Sequence, residues 1–131
     1  MGRVGVVAGG FLGAVVLAAA AGSEQVLSYA RDVEPVFIKE CLRCHGSRKP
    51  KKGLDLSPGR GLAAMLDQPS VDLPGAVLLV AGDPAASVLW HKLEHSHAKG
   101  RGMPRTLFGA RTLPAEHLEL IRTWIEQGAQ P

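Results

Sequence analysis

Apolar side chains fall at helical spacing near both ends of this chain, and polar, Gly- and Pro-rich stretches separate the two patterns. In the first, Val33, Phe37 and Cys41 lie on one stripe with Val36 alongside. Asp32 can cap that helix, Glu34 and Pro35 fit its first turn, and Gly46 stands where a stop belongs after Cys44. In the last, Leu118, Ile121, Trp124 and Ile125 predict an amphipathic helix from Pro114 or Ala115 to about Gln127, with Gly128 as its C-terminal glycine. Between them, Gly82-Asp83-Pro84 reads as a helix start running to about His95, with Ala86, Leu89, Trp90 and Leu93 on its buried face. A weaker pattern, Leu62, Met65 and Leu66, suggests a short helix over Gly61 to Asp67. Residues 46–60 and 96–114 read as loops, and the apolar patch Val77 to Ala81 as an extended segment packed on the core. The expected class is all-α: a single domain of about four helices.

The first 22 residues have another character. Met1-Gly2-Arg3 is followed by an uncharged apolar run from Val4 to about Ala21, closing on Ala18-Ala19-Ala20-Ala21-Gly22 with its A-x-A sites. That is the layout of a secretory signal peptide. An uncleaved N-terminal membrane anchor is the alternative, the run being near the lower limit for a spanning helix. Either way the domain, residues 23–131, is expected outside the cytoplasm, in the periplasm or on the outer face of the inner membrane.

A domain of that size buries only a modest core, and this one has few large side chains: 2 Trp, 1 Tyr and 3 Phe in 131 residues. A bound apolar group would supply the missing bulk. The candidate attachment site is Cys41-Leu42-Arg43-Cys44-His45, a C-x-x-C-H run. Two thiols at this spacing can each add across one of haem's two vinyl groups, leaving the adjacent imidazole under the iron. Cys41 and Cys44 are therefore the expected covalent attachment points of one haem c, with His45 as proximal iron ligand.

Three rival readings use the same cysteines. A zinc site needs four ligands, and only His91 and His95, with His97 just beyond, offer a second pair. A dithiol oxidoreductase would place C-x-x-C near a βαβ pattern, and no strand alternation precedes Cys41. Chance placement of two inert cysteines is the third. In an oxidising compartment a lone cysteine pair would be consumed by haem or by a disulfide.

Met103 is the best candidate for the sixth iron ligand, in the loop Gly100-Arg101-Gly102-Met103-Pro104. A methionine there gives an electron carrier of raised potential, and a second histidine a lower one. A gap-filling role is the ordinary alternative for a methionine, but this loop is polar. Met65, on a helix face, suits packing better. His91, His95, His97 and His117 compete for the position, although Lys92 and Glu94 suggest that His91 and His95 share a solvated face. An open sixth position would instead suit a haem-based ligand sensor or a peroxidase-like enzyme.

The formal charge of +3 is no nucleic-acid footprint. Its distribution is uneven, with 12 basic against 6 acidic residues from Lys39 to Arg111, and Arg48, Lys49, Lys51 and Lys52 follow the C-x-x-C-H run directly. This is a solvated basic loop, or one that borders the haem edge and steers an acidic redox partner.

Taken together, C-x-x-C-H, a later Met-Pro and a closing Trp helix resemble small class I cytochrome c domains, and more closely the planctomycete-type cytochrome c domain. The similar stretches are Tyr29 to Phe37, Cys41 to Gly46, Gly53-Leu-Asp-Leu-Ser57, Val80 to Leu89 with its Gly82-Asp83-Pro84, Gly102-Met103-Pro104, and Leu120 to Ala129. They span about residue 29 to 129. The resemblance implies a covalent haem c with His45 proximal and Met103 distal, in an electron carrier that is not an enzyme. It also implies partners that are redox proteins or a respiratory complex. One departure is Arg105, where the family often has a second proline after Met-Pro. A non-haem metal-binding or interaction domain is the remaining alternative.

Overall fold

The first helical turn begins ahead of its expected cap. In the computed structural model, which describes Gly2 and residues 24–131, Tyr29–Val33 forms a π-helical turn that runs into helix α1, Glu34–Glu40. Ser28, not Asp32, occupies the cap: its Oγ accepts from the Arg31 N–H at 3.2 Å, and Asp32 Oδ2 accepts from the Ser28 N–H at 2.8 Å. The carboxylate reaches back from inside the helix, a reciprocal satisfaction of otherwise orphaned donors. The proposed leader, residues 1–22, lies outside the described residues apart from Gly2. Among those described, no helix is long and apolar enough to cross a membrane.

The expected single helix 32–44 is broken at Cys41, whose φ of −121° departs from helical geometry, and resumes as α2, Leu42–His45. Gly46 follows with φ −88° and ψ 170°, an extended conformation open to any residue. Its glycine serves close approach, since a Cβ there would lie 2.9 Å from the Leu42 carbonyl oxygen. A 3₁₀ turn at Lys51–Gly53 leads to α3, Gly61–Met65.

The largest departure lies in α4, which covers Val88–Glu94 rather than starting at Pro84. Asp83 Oδ1 accepts from the Ala86 N–H at 3.0 Å, so it caps a turn ahead of the helix. The segment expected to be extended explains the late start. Val77 and Leu78 offer their carbonyls to the N–H groups of Val88 and Leu89 at 3.0 and 2.9 Å, satisfying donors a helix start leaves unpaired. The same segment bridges to Leu66, Pro69 and Ser87. Ser87, fully buried, ties the corner: its Oγ accepts from the Val80 N–H at 2.9 Å and donates to Asp83 O at 2.8 Å. Ala86, placed on the buried face by the sequence pattern, is consequently exposed.

The all-helical expectation also needs amendment. Within the stretch read as loop, β1 (Arg105–Thr106) and β2 (Gly109–Ala110) pair antiparallel, with Arg105 opposite Ala110. The final helix, α5, spans Ala115–Glu126 with Ile121, Trp124 and Ile125 fully buried. Gly128, at φ +97°, supplies the left-handed residue that ends it.

The core forms where the N-terminal π-turn meets α5. Tyr29 stands between Phe37 and Trp124, its ring centroid 5.9 and 5.6 Å from theirs. The Tyr29 N–H donates to Gln130 O, and Trp124 Nε1 donates to the same carbonyl. Both chain ends of the domain are thereby fastened together, and the remaining elements surround a large cavity.

Candidate cofactor site

Cys41, Cys44, His45 and Met103 all line one cavity of about 460 Å³. The break at Cys41 and the short α2 carry the first three to one wall, and the Leu56 N–H braces them by donating to His45 O at 2.7 Å. Met103 arrives from the loop between α4 and β1, held at both backbone groups. Its N–H donates to Lys92 O at 2.9 Å, and its carbonyl accepts from His95 Nε2 at 3.1 Å. Gly102 makes this approach possible, because a Cβ there would meet the His95 ring at 2.5 Å. Leu54, Leu56, Met65, Leu78, Leu89 and Leu93 give the cavity an extensive apolar wall. Volume and lining are those of a cofactor pocket, commonly roughly 300–1,000 Å³.

The titratable groups of the motif are shifted in directions that bear on its chemistry. Burial pushes the Cys41 thiol up to about 12, with Glu40 adding to the shift and Arg111 opposing it. A redox-active dithiol needs the reverse shift. Burial also pushes the His45 imidazole below its usual range, against the nearby backbone of Leu54 and Lys51. A neutral ring keeps a lone pair for a metal. Among the described residues, His45 Nδ1 is buried without a hydrogen-bond partner. A flat apolar group carrying a metal and two thiol-reactive arms fits this lining: two thiols, an imidazole and a thioether, in walls rich in leucine.

The competing histidines lie elsewhere. His91 uses both ring nitrogens, one with Ser96 Oγ and one with Ala85 O, each at 2.7 Å. The His95 ring holds the Met103 backbone, and His97 Nε2 lies 3.2 Å from Gly100 O. None of these, nor His117, belongs to the cavity lining. Among the described residues, no three His, Cys, Asp or Glu side chains converge as a metal-ion site. Met65 is fully buried and packs in the cavity wall.

The basic run divides between the two readings the sequence offered. Of the basic run after the motif, Lys52 reaches the cavity, while Arg48, Lys49 and Lys51 are exposed away from it. The rim instead draws Lys39 and Arg43 from beside the motif, and Arg105 and Arg111 from the hairpin. Arg111 pairs with Glu40, whose carboxyl it holds below the usual carboxylate range. Lys92, read with Glu94 as a sign that His91 and His95 share a solvated face, is only 9% exposed and lines the cavity. Sequence periodicity misses it because a lysine counts as polar wherever it points; it sits one turn after Val88 and beside Leu93 on the inward face of α4.

Residues 41–105 match the family model described as Planctomycete cytochrome C. No curated protein and no solved structure matches the chain. The matched stretch begins at the first thiol and ends just past Met103, so it takes in both cysteines, the imidazole and the thioether that share the cavity. Over residues 41–105, the chain is similar to the planctomycete-type cytochrome c domain.

Proposed function

We propose that this chain is an exported c-type cytochrome that binds one haem c covalently and transfers single electrons. The match of residues 41–105 to a cytochrome c family model supports a haem protein that carries electrons rather than an enzyme. One observation carries the finer reading: two thiols at C-x-x-C spacing, the following imidazole and a distant methionine open onto the same apolar cavity. In this reading Cys41 and Cys44 would hold the porphyrin through thioethers, and His45 and Met103 would bind its iron. Haem supplies the redox chemistry; the chain binds it, excludes water and sets its potential through ligand identity and burial.

The chain's own contributions follow from its contacts. Leucine walls keep the site of low dielectric, and the Leu56–His45 backbone bond fixes the proximal segment. Backbone bonds to Lys92 and His95 hold Met103 at a set distance from α4, which favours retention of a weak thioether ligand. The rim cations, Lys39, Arg43, Arg105 and Arg111, give an acidic redox partner or respiratory complex a surface to approach. The N-terminal leader pattern supports a periplasmic or membrane-anchored extracytoplasmic location.

Covalency is tested by extracting the purified, exported protein with acidified organic solvent. Haem that stays with the polypeptide supports the proposal, because thioether links survive that treatment. Haem that leaves with the solvent would contradict it.

A further inference from the structure

At one place the leucine-walled cavity is strongly polar, and the ligand set described above does not use it. Lys92 Nζ donates to Lys99 O at 2.7 Å and lies 3.4 Å from Asp72 Oδ2, while Lys52 Nζ lies 3.0 Å from Asp72 Oδ1. Each ammonium takes one oxygen of the same carboxylate, and all three residues line the cavity. Ser70, 7% exposed, joins them; its Oγ accepts from the Leu73 N–H.

Two cations on one carboxylate leave a net positive charge at a largely apolar wall. An ammonium has three N–H donors, and among the described residues Lys92 spends two of them. Burying a cation is costly unless it is paired; Lys92 is the buried one at 11% side-chain exposure, Lys52 is 63% exposed, and the three charges sum to one positive. The Ser70 hydroxyl adds a donor with no protein acceptor among the described residues. These are the features of a site for a second carboxylate.

The proposed occupant of the cavity brings such groups. Haem is amphiphilic, with two propionates on the ring edge opposite its vinyls, so fixing the vinyls at Cys41 and Cys44 sends the carboxylates to the far side. We infer that Lys92, assisted by Lys52 and Ser70, receives a haem propionate, and that Asp72 holds the two lysines ready for it. This rests on the haem reading, and goes beyond it by naming the residues that meet the carboxylate edge.

The test is Lys92→Met in the exported holoprotein, a change that keeps the apolar stem and removes the charge. Asp72→Asn and the double variant are made alongside. Two readouts are needed: reduction potential by spectroelectrochemical titration, and redox-difference infrared spectra with haem carboxyls labelled biosynthetically with carbon-13. The expected result is a lower potential for Lys92→Met, since removing a nearby cation favours the more positive, oxidised centre. A shift of the labelled carboxylate bands should accompany it. Asp72→Asn should raise the potential, and the double variant should fall below Asp72→Asn with the same band shift. If the double variant matches Asp72→Asn in both readouts, Lys92 serves Asp72 alone and the inference is overturned. Should Lys92→Met fail to fold, Lys52→Ala must shift the labelled bands, and an unchanged spectrum there overturns the inference equally. A parent protein without haem would overturn the functional reading itself; a coloured protein with unmoved bands overturns the inference alone.

Discussion

Tyr29→Phe should stabilise this protein. The phenol is 4% exposed, its ring is fixed between Phe37 and Trp124, and its hydroxyl oxygen is buried without a hydrogen-bond partner among the described residues. A buried polar group left unpaired costs about 1–3 kcal/mol. Deleting one oxygen leaves a gap of roughly atomic size, returning less than about 1 kcal/mol. The net gain is about 1–2 kcal/mol, or about 5–10 °C in melting temperature for a domain near 100 residues. The gain should also depend on pH. Burial, aided by Glu34 and Cys41, raises the phenol well above its ordinary range. The folded state therefore keeps a proton that the unfolded chain releases above about pH 10. For a group raised on folding, the stability it contributes is intact below that point and falls as pH rises past it, by up to about 1.4 kcal/mol per unit. Urea titrations followed by circular dichroism, at neutral pH and near pH 11 where the ordinary phenol ionises, test both parts. The variant should show a higher midpoint at neutral pH and a shallower loss under alkali. A lower midpoint, or the same alkaline loss as the parent, would refute the reasoning.

Three further outcomes are expected. Ser87→Ala should cost about 1–3 kcal/mol, because the Val80 N–H and Asp83 carbonyl lose their shared partner; a urea midpoint equal to the parent's would count against it. Gly61→Ala should destabilise by about 1–3 kcal/mol through overpacking, since a Cβ there lies 1.9 Å from Tyr29 Oη and 2.9 Å from its Cζ. That cost should shrink in the Tyr29→Phe background, where the nearest obstacle is gone, and equal costs in both backgrounds would contradict the coupling. Met103→Ala should lower the reduction potential and let the reduced protein bind carbon monoxide, as loss of an axial thioether requires. An unchanged spectrum and potential would remove Met103 from the axial position, and carbon monoxide binding by the parent would favour a sensor or peroxidase-like role.

What could be read from the chain alone was what local spacing encodes. The α5 stripe and Gly128 describe one helix and its end, and both stand as expected. C-x-x-C-H gathers its three residues on one wall by adjacency, and Met103 reaches the same cavity through a loop whose Gly102 permits a close pass over His95. Features set by distant partners were not legible. Asp83-Pro84 has the grammar of a helix start, but α4 waits until Val88 because the carbonyls of Val77 and Leu78 take its first donors. The hairpin was missed because Leu107-Phe108 at its tip is no turn signal, and its strands are too short to alternate. Lys92 was not singled out because a buried lysine is recognised only by what it faces, here Asp72 and the cavity.

The central claim is best tested by mass spectrometry of the exported protein, intact and after proteolysis. The account predicts that the peptide containing Cys41 and Cys44 is heavier by one haem, and that replacing either cysteine with alanine removes one of the two attachments. An unmodified peptide with two free thiols or a disulfide, from cells able to mature c-type cytochromes, would contradict it.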